Sequence, residues 1–158
     1  MKIKSVCAIG TLLLVLGASA VKAGELVVND AWVRSAPPNA PALGAFMVLE
    51  NHSARDIAVV DARSSLEVNR VELHRSMMAD GVMKMIPQEF IPVAANSSTV
   101  LEPGSWHVML IGPSRVPAEG ESVELTLVLD DGTETTVVAG VRKGKKMMHD
   151  HEHGMKSE

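Results

Sequence analysis

Cysteine is almost missing from this chain of 158 residues: Cys7 is the only one. It precedes the apolar stretch TLLLVLG, so residues 24–158 contain none. That removes a disulfide framework, thiol redox chemistry and thiolate metal ligands together. Basic charge is also short. Without residues 1–23, which carry Lys2, Lys4 and Lys22 but no acid, 12 basic side chains face 19 acidic ones, a net charge of −7. Such a surface lacks the basic patch that nucleic acid or an anionic membrane requires. No apolar run approaches the roughly 20 residues of a membrane span, so none is expected in the mature protein. Convincing helical periodicity is absent from residues 24–142.

What is present begins with an export signal. Lys2 and Lys4 form a basic start, Ser5 to Gly17 an apolar core, and small residues follow in Ala18-Ser19-Ala20 and Val21-Lys22-Ala23. This reads as a secretory signal peptide over 1–23, cleaved after Ala23. Short β-forming runs come next, separated by turn residues. ELVV and DAWVR read as two strands, SAPPNAPALG as a proline-rich loop, and GAFMVLE as a strand. DIAVVDARSS and NRVELHRS continue the series, and in the latter Arg70, Glu72 and His74 share a polar, accessible face. Asp80-Gly81 supplies a tight hairpin turn. Pro92 marks a strand edge or end, Pro103-Gly104 another turn, and WHVMLIG, ESVELTLVLD and ETTVVAGV complete the set. Short strands at such spacing predict an all-β sandwich or barrel. From Arg142 onwards the composition turns polar and charged, as expected of a tail that is disordered without a ligand.

Soft metal donors concentrate between Val71 and Gly112. His107 and Met109 are two apart in a strand, and so share a face. Folding at Asp80-Gly81 brings His74 and Met85 opposite or nearly opposite. His74, Met85, His107 and Met109 then offer two imidazoles and two thioethers, a set suited to Cu(I), a soft closed-shell ion. Hard ions prefer oxygen ligands and zinc is poorly served by thioethers. Taken singly, each methionine also reads as adaptable core filler. Met47 fits that role in its apolar strand, and Met78 and Met83 could share it. His107 alone could be a hydrogen-bonded structural histidine, and His52 is structural or merely exposed. A second constellation lies in the tail, where Met147, Met148, His149, His151, His153 and Met155 could chelate Cu(II), Ni(II) or Zn(II) or be incidental to a solvated segment.

The pattern from His74 is ten residues to Met85, twenty-one to His107 and one to Met109. With its flanks DAWVRSAPPNAPALGAFMVLEN, VELH, GVMKM and PGSWHVMLIG, it resembles the periplasmic PCu(A)C-type copper chaperones. The resemblance implies a cupredoxin-like Greek-key β-barrel over 24–142 that binds one Cu(I) through His74, Met85, His107 and Met109. It further implies periplasmic delivery of copper to the Cu(A) or Cu(B) centres of haem-copper oxidases, alongside Sco-type proteins. The tail, 143–158, is similar to extensions associated with a Cu(II)-type site, here His149, His151, His153 and Met155. Trp106 is placed where a ring could shield the ion or pack in the core. A copper buffer or resistance protein shares this chemistry. An electron-transfer cupredoxin needs the missing cysteine, and no nucleophile motif points to an enzyme.

Overall fold

The computed structural model describes residues 26–144. The expected signal peptide over 1–23 and the tail residues His149, His151, His153 and Met155 therefore lie outside the described residues. Ten strands account for the architecture, and no helix occurs among the described residues. They are β1 (Leu26–Arg34), β2 (Ala42–Asn51), β3 (Ile57–Ser64), β4 (Val68–Ala79), β5 (Val82–Gln88), β6 (Ile91–Val93), β7 (Ser97–Leu101), β8 (Trp106–Pro113), β9 (Ser122–Leu129) and β10 (Glu134–Arg142). Their order across the sheet is β5-β4-β8-β7-β2-β1-β10-β9-β3-β6, and β8 also pairs with β2. The β1–β10 and β7–β8 pairs are parallel and the rest antiparallel. This is the all-β arrangement that the spacing of the strands predicts. Both edge strands carry a proline, Pro87 in β5 and Pro92 in β6, where a missing donor costs no ladder bond.

The two strands expected in residues 25–34 are one. β1 runs through with a bulge between Asn29 and Trp32, where Asp30 takes a left-handed φ of 47°. The extra residue breaks the alternation that a sequence pattern relies on. It leaves Trp32 opposite Phe46 and Val33 fully buried. Alternation elsewhere is regular. In β9 Val123, Leu125, Leu127 and Leu129 point inward, and β2 contributes Leu43, Ala45, Met47 and Leu49 to the same core. Met47, 1% exposed, is the core filler it was expected to be.

One buried polar side chain ties two loops to this core. Asn51, 1% exposed, donates from Nδ2 to the carbonyls of Arg55 (2.8 Å), Val93 (3.0 Å) and Ala94 (3.1 Å), while its Oδ1 accepts from the Ser53 amide at 2.9 Å. Truncation removes the donor to the buried Val93 carbonyl and to that of Ala94, while the Arg55 carbonyl keeps its bond from Ser53 Oγ at 3.0 Å. Asn51→Ala is expected to destabilise the fold by about 3 kcal/mol. Urea unfolding should show a lower midpoint with unchanged slope, and an unmoved midpoint would refute the role.

Candidate metal centre

The hairpin of β4 and β5 sets the geometry. Asp80 (φ 55°) and Gly81 (φ 74°) both lie in the left-handed region, as a two-residue type I′ turn demands. Met85 therefore pairs with Ser76, and His74 pairs with Pro87. Met85 and His74 share a face as diagonal neighbours rather than as a direct pair. On its other side β4 pairs with β8, and there His74 faces His107 directly. Their ring centroids are 5.6 Å apart. Met109, two residues beyond His107 on the same face, lies opposite Gly44 of β2 and Glu72 of β4.

Met85, His107 and Met109 together line a cavity of about 150 Å³, with Gly44, Phe46 and Pro103 among its other walls. His74 does not line it but reaches the site through its contact with His107. Gly44 is required by close approach, because a Cβ there would stand 2.9 Å from Phe46 Cζ. The Phe46 ring covers the site at 6.2 Å from the His107 ring, and Trp32 stacks behind it at 4.7 Å. A larger cleft of about 1180 Å³, bordered by Trp32, Arg34, Glu102 and Arg142, contains no histidine. Three of the four candidate soft donors line the smaller cavity.

Each histidine uses one ring nitrogen structurally. His74 Nε2–H donates to Glu72 Oε2 at 2.7 Å, and Glu72 also accepts from Arg70. His107 Nδ1–H donates to the Ser105 carbonyl at 3.1 Å. The other nitrogens, His74 Nδ1 and His107 Nε2, are buried without a partner. A stranded buried acceptor costs about 1–3 kcal/mol, and a ligand that used both lone pairs would remove that cost. The hydrogen bonds hold each ring in one tautomer, as outer-shell partners of metal-binding histidines do. Bonding to His74, then to Arg70, keeps the Glu72 carboxyl below its ordinary range. Burial keeps His107 below the usual histidine range, so its ring is neutral and can donate a lone pair. No group of three or more His, Cys, Asp or Glu among the described residues could hold a metal. Four donors are reached only by counting the two thioethers.

The polar face of its strand predicts an accessible His74, yet it is 7% exposed and His107 is 3% exposed. Alternation identifies the face that leaves the core, but not what covers it. Met85, 58% exposed, is the donor open to solvent. Met78 and Met83 are not filler, being 66% and 54% exposed. Trp106 does not screen the site, since it is adjacent to His107 and points the opposite way. It packs against the core, with the Arg75 guanidinium 5.0 Å over its ring. His52 is exposed beside Glu50, as expected. Glu72 was legible as a carboxylate two residues from His74 on the same face, whereas Phe46, Gly44 and Ser105 carried no local signal.

Comparison with known proteins agrees with this architecture. The family described as "Putative lipoprotein LpqE-like" matches residues 26–141. Lxx21020 of Leifsonia xyli subsp. xyli is 30% identical over 122 residues, covering 77% of this chain and 72% of that protein. Among solved structures, the copper-bound PCuAC domain from PmoF2 superposes with a TM-score of 0.64 at 21% identity, covering 77% of this chain and 95% of that one. CuI-DR1885 from Deinococcus radiodurans gives 0.58 at 32% identity, covering 83% and 85%. The chain belongs to the LpqE-like family, and its fold is the cupredoxin-like one of PCuAC domains.

Proposed function

We propose that this protein is a periplasmic copper carrier that binds one Cu(I) through His74, Met85, His107 and Met109 and surrenders it to the assembly of haem-copper oxidase Cu(A) or Cu(B) centres. The observation that carries this reading is the pair of stranded, buried imidazole nitrogens on adjoining rings, with two thioethers lining the same small cavity as His107. Neutral imidazole and thioether suit a soft d10 ion, and the copper-bound similar structures support the choice of metal. The asymmetry of the site suits a carrier rather than an enzyme. Two buried histidines anchor the ion, while Met85 leaves it open on one side to an incoming ligand. An oxidase subunit or Sco-type protein would supply that ligand. His149, His151, His153 and Met155 in the tail form a separate Cu(II)-type site in this reading, and residues 1–23 direct export.

Metal titration of the mature chain, with and without residues 143–158, tests both sites. One tightly held Cu(I) should survive truncation under reducing conditions, and Cu(II) binding under oxidising conditions should disappear with the tail. Loss of Cu(I) on truncation would overturn the four-residue core site.

A further inference from the structure

The β4–β5 hairpin continues past the sheet that holds it. Pairing of β4 with β8 ends at Arg75 and Trp106, where β8 itself begins. Beyond that point Met77 faces Lys84, Met78 faces Met83, and Ala79 faces Val82, with only each other as strand partners. This projecting ribbon carries Met77 at 41% exposure, Met78 at 66%, Val82 at 59% and Met83 at 54%. A two-stranded ribbon in water is marginal by itself. Methionine there fills no gap in a core, lacks the β-branched or aromatic side chain that favours strands, and adds nothing to solubility. What it does supply is a soft, exchangeable sulfur donor.

The register places these sulfurs on a line. Pairing from Leu73–Gln88 to Ala79–Val82 runs without a bulge, so side chains alternate strictly. His74, Ser76 and Met78 share one face of β4, and Met83 and Met85 oppose Met78 and Ser76 on that face. Directly opposed residues have Cβ atoms about 4.5–5.5 Å apart, and diagonal neighbours lie within reach of long side chains. Met78 and Met83 can therefore grip one ion between them. Met85, on the same strand two residues from Met83, is the next sulfur towards His107.

We infer that Met78 and Met83 form a second, weaker Cu(I) site, a landing pair at the hairpin tip that exchanges the ion with Met85 and the buried histidines. The inference extends the carrier reading and rests on it for the identity of the ion. Two thioethers hold Cu(I) less firmly than a four-donor site, so the ion moves inward when the core is empty. Once the core is full, the pair holds a second ion or exposes one to a recipient. Thioethers carry no proton to lose on binding, so capture at the tip needs no deprotonation.

The test is a Cu(I) titration, without oxygen, of the mature chain labelled with 13C at the methionine methyls and assigned by single Met→Leu variants. The first equivalent should shift Met85 and Met109, and further Cu(I) should shift Met78 and Met83 together until both saturate. Met78→Leu/Met83→Leu keeps the tip apolar while removing its sulfurs. It should abolish the second event and leave the endpoint of the first unchanged. Methyls of Met78 and Met83 that stay still while Met85 and Met109 respond would overturn the landing pair and leave the core reading intact. Responses at Met78 and Met83 alone would uphold the pair and sink the core site instead.

Discussion

Replacing His107 and Met109 together by alanine is expected to abolish Cu(I) retention, with affinity falling by more than about a thousandfold. Changing even an outer-shell partner of a metal ligand costs about 10–100-fold, and this variant removes two proposed ligands outright. What remains, His74 and Met85, belongs to one hairpin and lacks the donors that face it from β8. The fold should persist, because β8 holds the core through Val108 and Leu110, which point the other way and are fully buried. Deleting the His107 ring also removes one of the two stranded nitrogens. Competition against a coloured Cu(I) chelator measures the loss directly, and circular dichroism verifies the β-sheet. Unchanged copper content in a folded double variant would sink the ligand assignment. His74→Ala alone should be nearly as severe, since it removes the opposing imidazole and leaves Glu72 with Arg70 as its remaining partner.

Acidification should release copper and weaken the empty protein for the same reason. Burial, opposed by the bond to Ser105, holds the His107 pKa below that of a free histidine, about 6.5. The ring therefore stays neutral in the folded protein at a pH where the unfolded chain has already taken up a proton. Stability from this group is complete above about pH 6.5 and is lost as pH falls from there to the lowered folded value. The slope for one proton is at most about 1.4 kcal/mol per pH unit. Urea midpoints of the apo-protein should decline across that window, and His107→Ala should flatten the decline. A profile unaffected by the substitution would contradict the assignment. Cu(I) affinity behaves differently at its onset. It should be level near neutrality, and it should fall about tenfold per unit from His107 only once the pH drops below the lowered value, because the ligand must be unprotonated.

Strand content was legible because a β-strand writes its period into neighbouring residues. The alternation of ESVELTLVLD and NRVELHRS places Leu125, Leu127 and Leu73 in the core without reference to any partner. Asp80-Gly81 likewise defines its turn locally, since few residue pairs accept left-handed φ at both positions. Where alternation is interrupted, reading fails. The bulge at Asn29–Trp32 looks like a break between two strands, although the chain runs straight through.

For the candidate site, the boundary lies between type and surroundings. Local sequence determined which donors are present and which share a face within each segment, two histidines and two methionines without any cysteine, whereas the side-by-side packing of β4 and β8 is a tertiary matter. Burial was decided elsewhere. Whether His74 is open or covered depends on β8, a strand distant in sequence whose His107 faces it. The stranding of one nitrogen on each ring depends on Glu72 and Ser105 reaching the other, which is a matter of distance and angle. The exposure of Met78 and Met83 follows from where β8 starts relative to the hairpin tip. Donor identity is a property of side chains, and the sequence by itself determined it. Accessibility, tautomer and order of approach are properties of pairing between distant strands, and only the tertiary structure decided them.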